Sequence, residues 1–531
     1  MKNYWRIGEP AVWGTAAALA TTLLIALTLI VVVMVNGLGV FWPSSLEQLT
    51  LRDGSRLLGE LVQREEIYQQ DDFRRQYKLG NRDLYGLDFR WIDEAEIVTS
   101  EQPDDALVIE RVEHGHFFGY LVELQTVGID LPAGAPHRQL TAAIAAVTEL
   151  VGTSRAMDHE LSAISYRLER LRRQQLKASY QGDPPDSARI LELQRKQTIL
   201  QDDFAHLIER QNRHRGNMRQ HTALFADANG RQKEIVLADI VRAYPPNRLN
   251  VWQKSLFYAG KLKELLLGEP RESNTEGGLF PAIFGTILLI FIMSLFSFPL
   301  GVLAAIYLRE YAREGLIVRL VRIAVNNLAG IPSIVYGIFG LGFFIYGIGS
   351  TIDQFFFPEV LPTPTFGTGG ILWASLTLAL LTVPVVIVAT EEALGAIPRE
   401  IREGSLALGA TRFQTLTRIL LPMSSPGIMT GLILAMARAA GEVAPLMITG
   451  VVKLAPSLPV DGNFPFLHLD RKFMHLGFHI FDIGFQSPNV EAAKPMVFVT
   501  TLLLVLIVLL MSSVAIHLRN KMKKRYTFGT F

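Results

Sequence analysis

Six long blocks of hydrophobic residues alternate with polar segments along the chain. The first four blocks carry no charge and lie between Glu9 and Glu47, Glu276 and Arg309, Arg322 and Asp353, and Glu359 and Glu391. The fifth runs from Ile419 to Ala437 and continues past Glu442 to Val452, and the sixth runs from Pro495 to Leu518. Each supplies the roughly 20 apolar residues that a spanning helix needs. The pattern predicts an all-α polytopic membrane protein of six transmembrane helices.

The first block resembles a secretory signal peptide at its start, because the basic residues Lys2 and Arg6 precede it. Its apolar core, from about Ala11 to Val35, is longer than the roughly 7–15 residues of a signal core. We therefore interpret residues 1–39 as a cytoplasmic N-terminus and a retained first span. Cleavage of the segment is the alternative.

The positions of Lys and Arg at the block ends indicate the orientation of the chain. Arginines 309, 313, 319 and 322 lie between the second and third spans, and arginines 399, 402, 412 and 418 lie between the fourth and fifth. The segment 350–370, between the third and fourth spans, has neither Lys nor Arg. Basic loops stay on the cytoplasmic side. Both termini are therefore predicted to be cytoplasmic, and residues 40–278 to be periplasmic.

The segment 40–278 carries the signals of a separate α+β domain inserted between two spans. Residues 50–65 are typical of a strand, an Asp-Gly turn and a second strand, and residues 223–247 show the same pattern around an Asn-Gly turn. The sequence therefore predicts a small periplasmic β domain near both ends of this segment.

Between these hairpins, leucine-rich stripes predict a helical arm. The first stripe consists of Leu140, Ile144, Val147, Val151, Leu161, Ile164, Leu168 and Leu171, and the second of Ile190, Leu193, Leu200, Phe204 and Leu207. Spacings of three and four on both sides of the Pro-Pro turn at 184–185 are typical of an antiparallel helical hairpin. We predict a coiled-coil arm over about residues 138–222, whose stripes pack within the hairpin. A docking surface for another protein is the alternative.

Composition adds two limits to this picture. The net charge is +1, which argues against nucleic acid as a partner, since nucleic-acid binding needs a strongly basic face. The chain has no cysteine, so disulfides and cysteine-ligated metals are excluded.

The predicted cytoplasmic segment 391–422 carries a motif with fixed spacing. Glutamate, two small residues, a glycine and a terminal I-x-L-P occur in order, at Glu403, Gly404, Ser405, Gly409, Ile419, Leu421 and Pro422. The spacing resembles the coupling loop of bacterial ABC importer permeases, in which two alanines usually follow the glutamate. A short helix must fit a groove on an ATPase, and Gly409 permits a tight turn after it. The resemblance implies a type I importer permease, with residues 279–531 as its five-helix core.

Further stretches resemble one branch of that family more closely. Residues 328–341, 389–410 and 426–446 are similar to phosphate importer permeases, and 427–431 followed by 440–445 resembles the PstA subunit. The resemblance implies a heterodimer with a PstC-type permease, two copies of a PstB-type ATPase, and a periplasmic PstS-type phosphate-binding protein. The chain has no G-x-x-x-x-G-K-[ST] loop, so ATP and Mg are expected on the partner ATPase, and no cofactor or metal on this chain.

Arg438 and Glu442 lie inside the fifth hydrophobic block, where charge is costly. We predict that they lie on one face of a helix running from about Gly427 to Val451. A charge in mid-bilayer costs at least about 2.5–3.5 kcal/mol, so it faces protein or water. A helix-tethering salt bridge is one interpretation. The other is an anion station, because the planar guanidinium fork suits phosphate oxygens and Glu442 neutralises the empty site.

Two weaker candidates accompany this pair. Asn327 and Ser333, with Asn326, flank Gly330-Ile-Pro332, where a broken span can present polar groups to a cavity; a capped or kinked helix end is the alternative. His475 and His479 have the spacing of metal ligands, but the sequence offers no third ligand, and we predict no metal site.

Other classes of function remain as alternatives. A membrane sensor with a periplasmic coiled coil would need a cytoplasmic output domain, and the cytoplasmic segments here are too short for one. An intramembrane enzyme would need a nucleophile beside the Arg/Glu pair. Among importers, another tetrahedral oxyanion, such as molybdate or sulfate, is the alternative substrate.

Overall fold

The computed structural model describes residues 9–67, 72–487 and 489–526, so Lys2 and Arg6 lie outside the described residues. The chain forms two compact units. The helical unit comprises Met1–Val40, Leu279–Phe357 and Thr363–Phe531, and the inserted domain comprises Phe41–Gly278 and Pro358–Pro362. The first helix of the helical unit is α1 (Glu9–Gly39).

The inserted domain begins with a five-stranded antiparallel sheet, the first module. Its elements are β1 (Leu46–Leu51), β2 (Arg56–Glu66), β3 (Phe73–Lys78), the short helix α2 (Arg82–Tyr85), β4 (Phe89–Asp93) and β5 (Ile97–Glu101). The strand order is β4-β3-β2-β1-β5. The predicted turn between β1 and β2 is present, with Gly54 at φ +82°, a conformation that glycine adopts without strain.

A second five-stranded sheet, the second module, follows and contains the two long helices. Its elements are β6 (Leu107–Arg111), β7 (Phe117–Gln125), α3 (Pro136–Tyr180), α4 (Ala188–Met218), β8 (Thr222–Ala226), β9 (Gln232–Val236) and β10 (Ile240–Tyr244). The strand order is β10-β6-β7-β8-β9. The predicted Asn-Gly turn joins β8 and β9, with Gly230 at φ +79°.

The two modules share one design, which the sequence analysis missed. In each, the first strand lies between the second and the fifth, and a 3₁₀ turn separates the fourth strand from the fifth. The pairing of the second and third strands slips by one residue at Val62 and at Val122, and that of the first and fifth strands slips at Val98 and at Val241. Bulges at four matched positions indicate that the domain contains an internal duplication.

Sequence traces of this duplication are short but in register. Ile92-x-x-Ala95-Glu96-Ile97-Val98 corresponds to Ile235-x-x-Ala238-Asp239-Ile240-Val241. In the second strands, Gly59 and Gly119 precede x-Leu-Val. A Cβ at Gly59 would meet the carbonyl oxygen of Lys78, and a Cβ at Gly119 would meet that of Ala226, the matching residue of the other module. The same close strand approach explains both glycines.

Helices α3 and α4 leave the second module between β7 and β8. Their distal parts pack through Met157, Ile164 and Leu207, with Leu161, Leu168, Leu200 and Phe204 alongside. The first turns of α3, by contrast, pack against the sheet. Their residues Leu140, Ala143, Ile144 and Val147 belong to the buried core of the second module. The base of the arm is therefore part of the β domain, and only the remainder projects from it.

After β10, one helix and a small hairpin lead toward the second span. They are α5 (Val251–Leu267), β11 (Pro270–Arg271) and β12 (Glu276–Gly277). Lys261 Nζ lies 2.6 Å from Glu110 Oε2, and Glu264 receives Arg271 at 2.5 Å and Arg242 at 3.3 Å. These five residues, here called the α5 ion cluster, fix the helix against β6, β10 and β11.

The described remainder of the helical unit consists of helices joined by irregular segments, the longest at 450–475. Its helices are α6 (Phe280–Ile306), α7 (Leu316–Leu328), α8 (Ser333–Phe339), α9 (Ser350–Phe356), α10 (Ile371–Gly395), α11 (Arg399–Ala407), α12 (Arg412–Thr415), α13 (Leu421–Gly441), α14 (Ala444–Thr449), α15 (Leu476–Phe481) and α16 (Val490–Tyr526). Among the residues that the structure describes, four π-helical segments extend these, at Tyr307–Tyr311, Gly340–Gly349, Leu416–Leu420 and Asp482–Gln486.

Within the described residues, six helical stretches are long and apolar enough to cross a membrane, which confirms the predicted six spans. They are Ala11–Gly39, Phe280–Tyr311, Ser333–Phe356, Ile371–Gly395, Arg412–Gly441 and Val490–Lys523. The fourth, α10, lies at the centre of the unit and packs against both α6 and α13. Small residues permit this approach, since a Cβ at Gly301 on α6 would meet Val386 Cβ at 2.6 Å.

Candidate functional site

The intramembrane charge pair lies where the fifth span is interrupted. Helix α13 ends at Gly441, Glu442 is extended with φ −80° and ψ 129°, and α14 begins at Ala444. The prediction of one continuous helix from Gly427 to Val451 is therefore wrong. Two local causes explain the break: Gly441 is a poor helix former, and Pro445 has no N–H for a helical hydrogen bond.

Arg438, in the last turn of α13, and Glu442, at the break, form a loose ion pair. Arg438 Nε lies 3.7 Å from Glu442 Oε1, and the two side chains keep 33% and 21% of their surface exposed. That separation is too long for a hydrogen bond. Within the described residues the Arg438 guanidinium donates no hydrogen bond, so its donors are open to a ligand.

Close helix packing holds the break in place. A Cβ at Gly431 would lie 2.7 Å from Ala389 Cβ, so α13 approaches α10 as closely as a glycine allows. On the other side, a Cβ at Gly337 would lie 2.8 Å from the Cα of Pro445. Close packing of α13 on α10 and of α14 on α8 thus positions the helices on either side of the break.

Tyr336 is a neighbour of the pair that sequence reasoning missed. Its hydroxyl donates a hydrogen bond to the carbonyl of Leu328 at 2.8 Å, which bridges the interruption 329–332 between α7 and α8. The next residue, Gly337, packs against Pro445 of α14, close to the break. A tyrosine one turn after Ser333, in a run of mostly apolar residues, was the available signal.

Asn327 and Ser333 lie on opposite sides of that same interruption. The carbonyl of Asn327 in the last turn of α7 accepts the N–H of Gly330 at 3.0 Å, and Ser333 is the first residue of α8. Neither side chain makes a hydrogen bond or an ion pair with Arg438 or Glu442 in the described part of the chain. The structure brings together two of the four residues predicted for the substrate path.

The coupling motif forms a short helix with a glycine stop. The N–H of Gly409 donates to the carbonyl of Leu406 at 2.9 Å, and the N–H of Ala410 donates to that of Ser405 at 3.2 Å. Gly409 has φ +87°. This pair of bonds is a Schellman motif, which requires a left-handed residue after the helix and explains why glycine occupies this position.

The small residue Ser405 joins this helix to the next one. Its hydroxyl lies 2.9 Å from that of Thr415, and both residues are buried. Glu403 and Gly404 are exposed, and a Cβ at Gly404 would meet nothing within 4 Å, so only the second small residue serves packing within this chain. Ile419 lies in the π-helical turn 416–420, and Leu421 and Pro422 begin α13.

Two hydrophobic residues beside Gly409 were not predicted. Leu408 is 92% exposed and Phe413 is 66% exposed. Because large apolar side chains at a turn are expected to be covered, these two extend the candidate ATPase contact beyond the motif. Both lie outside the positions of the motif, so the motif did not indicate them.

Ion pairs connect the coupling helix with the helical unit behind it. Arg402 Nη2 lies 3.0 Å from Glu310 Oε1, at the end of the second span. Arg322 Nε lies 3.5 Å from Glu391 Oε1, so that carboxylate is turned toward α7. A charged contact thus joins α11 to the π-helical segment at the end of the second span.

His475 and His479 have different hydrogen-bond partners. His475 Nδ1 accepts the N–H of Gly477 at 3.1 Å and caps α15. His479 Nδ1 lies 3.2 Å from the hydroxyl of Thr500 on α16. No group of three His, Cys, Asp or Glu residues that could hold a metal ion occurs among the residues described.

Sequence comparison decides the family. Residues 297–524 match the profile of the family "Binding-protein-dependent transport system inner membrane component". The probable ABC transporter permease YqgI of Bacillus subtilis is 33% identical over 225 residues, which cover 41% of this chain and 70% of that protein. The chain belongs to this permease family. It is accordingly a multi-pass inner membrane protein, and ATP hydrolysis is expected on a separate subunit.

Two other relatives match a shorter part of their own length. The probable phosphate transport permease PstA of Methanocaldococcus jannaschii is 35% identical, with 36% of this chain and 63% of that protein covered. The probable permease YqgH of Bacillus subtilis is 33% identical, with 36% of this chain and 59% of that protein covered. The chain thus spans less than two thirds of these two relatives. Apart from Pro358–Pro362, the residues of the profile match lie within the helical unit.

Proposed function

We propose that this permease carries inorganic phosphate from the periplasm to the cytoplasm in an ATP-driven importer. A relative whose printed name is a phosphate transport permease supports the substrate class. The observation that carries the proposal is the loose Arg438–Glu442 pair at the interruption of a membrane span. An arginine with open donors in a bilayer is a site for an anion.

The geometry favours an anion station over a structural tether. A tether needs a short, hydrogen-bonded contact to offset the desolvation of two charges. The 3.7 Å separation and the partial exposure provide neither, while Gly431 and Gly337 already hold the helices together. Glu442 neutralises the empty site and limits how tightly the anion binds. Its carboxylate can also accept a hydrogen bond from protonated phosphate, which sulfate cannot donate at neutral pH.

The partners follow from the same proposal. A PstC-type permease completes the path, two PstB-type ATPase subunits bind ATP and Mg, and a PstS-type protein delivers phosphate. In this arrangement the turn at Gly409, with Leu408 and Phe413 exposed beside it, inserts into a groove of one ATPase subunit. Both termini are cytoplasmic and residues 40–278 are periplasmic, as the distribution of arginines favours.

The test is uptake of radiolabelled phosphate by cells that lack their own permease and express the full chain with its partners. Arg438→Lys keeps the charge but loses the bidentate fork, so uptake should fall steeply while the amount of protein in the membrane stays the same. Arg319→Lys, at an exposed position on α7, is the matched control and should transport normally.

Competition with unlabelled molybdate or sulfate identifies the substrate. Phosphate should suppress the uptake of label, and the other two oxyanions should leave it unchanged. Normal uptake by Arg438→Lys would contradict the anion station. Stronger competition by molybdate or sulfate than by phosphate would replace the substrate but leave the station in place.

A further inference from the structure

Helix α5 exposes an apolar face and turns charged residues inward, which is the reverse of a helix on the surface of a soluble domain. Such a helix buries an apolar face and exposes its charges. Here Lys261 and Glu264 point inward, with side chains only 14% and 20% exposed. The outward face carries Trp252 at 86%, Leu256 at 77% and Leu267 at 65% exposure.

This orientation is fixed, because the inward face is held by strong contacts. Lys261 pairs with the buried Glu110 at 2.6 Å, and Glu264 pairs with Arg271 at 2.5 Å. The ring of Phe257 lies against that of Tyr244, with centroids 4.5 Å apart. The helix cannot turn its apolar face inward without breaking these contacts, so the exposed stripe is a property of the folded domain.

The stripe runs along the whole helix at helical spacing. Its members are Trp252, Leu256, Ala259, Lys263, Leu266 and Leu267. A tryptophan, three leucines and one lysine, whose stem can lie along an apolar surface while its charge reaches water, are typical of a helix that lies in a membrane interface.

Chain connectivity limits how far this helix can be from the bilayer. Trp42 follows the end of the first span at Gly39 by three positions, so at most roughly 11 Å of chain separates them. The Trp42 ring packs on Tyr258, with centroids 6.3 Å apart, and the carbonyl of Pro43 accepts a hydrogen bond from Lys254 Nζ at 3.2 Å. The first half of α5 is thereby held beside the point where the chain leaves the membrane.

We propose that α5 is an interfacial helix, whose stripe from Trp252 to Leu267 rests on the lipid surface of the leaflet on the side of the inserted domain. Such a helix buries its apolar face about 5–10 Å deep, at the boundary of headgroups and acyl chains. The contact anchors the inserted domain to the bilayer independently of its covalent connections to the helical unit. It involves none of the residues assigned to the substrate path or the ATPase contact.

The absence of native cysteine gives a direct test. Single variants Leu256→Cys and Leu267→Cys are spin-labelled in the full chain, reconstituted in lipid nanodiscs, and probed by collision with oxygen and with a water-soluble nickel complex. Val122→Cys on β7 and Leu191→Cys on α4 are matched controls, because both replace apolar side chains that are about half exposed.

We expect labels at 256 and 267 to collide more often with oxygen than with the nickel complex, and labels at 122 and 191 to show the reverse. If 256 and 267 behaved like the controls, the stripe would face water and the proposal would be wrong. Protection from both reagents would mean that protein covers the stripe, a second copy or another subunit, and would equally overturn the lipid assignment. All four labels lie at exposed positions, so folding is not at stake in any outcome.

Discussion

Two sets of charges in this permease differ in how completely they are paired. In the α5 ion cluster the contacts are as short as 2.5 and 2.6 Å, and Glu110 is almost wholly buried. Arg438 and Glu442 lie 3.7 Å apart and keep part of their surface exposed. Charges that satisfy one another hold a fold together, whereas charges that do not are available to a ligand. The comparison favours a structural role for the first set and supports the proposed anion-binding role of the second.

The largest effect should follow from breaking the tight set. Lys261→Met leaves the carboxylate of Glu110 buried without its closest partner, so the free energy of unfolding of the inserted domain should fall by about 3–5 kcal/mol. Hydrogen exchange of β6 in the full chain measures this. Adding Glu110→Met should restore much of the loss, since the pair is then replaced by apolar side chains. A loss below about 1 kcal/mol for Lys261→Met would mean that the cluster is not structural.

Acid should weaken the same region through His116. Burial lowers the pKa of this histidine well below its usual 6.5, and Lys78, Lys261, Arg271 and Arg111 add to the effect, although Glu276 lies 3.6 Å from the ring. Below about pH 6.5 this histidine therefore binds a proton in the unfolded chain but stays neutral in the folded chain. Stability should fall on acidification, by up to about 1.4 kcal/mol per pH unit while the ring stays neutral.

Two carboxyls of the region act in the opposite direction. Burial raises the pKa of Glu60 and of Glu276, so each favours folding as the pH falls. The contribution of His116 is isolated by subtracting the pH profile of His116→Gln, measured by hydrogen exchange of β7. His206→Gln, at an exposed arm position, is the control and should keep the wild-type profile. Identical profiles for wild type and His116→Gln would exclude the histidine as the cause.

A smaller change in stability is expected at the loose pair. Replacing both residues together, Arg438→Gln with Glu442→Gln, should change the free energy of unfolding by less than about 1 kcal/mol, because a part-exposed pair at this distance contributes little. Thermal unfolding of the purified full chain measures the change. Destabilisation comparable to that of Lys261→Met would turn the pair into a tether and remove the contrast. A variant in which Arg438 and Glu442 are exchanged would not restore an equivalent pair, because Arg438 lies within α13 and Glu442 lies after its end.

The least effect should come from the distal arm, which shares residues with neither set of charges. Replacing 160–208 by a short Gly/Ser linker keeps the contact of Asp158 with Gln211 and the core residues of α3, and the linker spans the roughly 10 Å between helix axes. Phosphate uptake and the exchange of β6 should both remain near wild type. Loss of uptake with normal membrane abundance would make the arm part of the transport machine.

Local signals in the sequence account for what could be predicted. Hydrophobic length specifies the six spans, and Asp-Gly and Asn-Gly specify two hairpin turns. The interruption at Glu442 was also within reach, because Gly441 and Pro445 both oppose a helix. Predicting a continuous helix gave too much weight to apolar content and too little to backbone chemistry.

Other features depend on contacts between distant parts of the chain. Glu110 and Lys261 are far apart in sequence, and no periodic pattern predicts that they form an ion pair. The duplication leaves a pattern of a few residues, which becomes convincing only once the matched bulges are seen. The reversed faces of α5 were hidden for the same reason, since the sequence shows that the helix is amphipathic but not which side faces the domain.

The duplicated module also offers an engineering site. In the second module the chain between the second and third strands holds an entire helical arm, and the matching position in the first module is the short connection 67–72. Its ends are tied by a hydrogen bond of 2.9 Å from the N–H of Ile67 to the carbonyl of Asp72. A fluorescent reporter or an affinity tag grafted there would occupy a position that the sister module already uses for a long insertion. Such a graft would let the protein be imaged or captured while the residues of the proposed anion station stay unchanged.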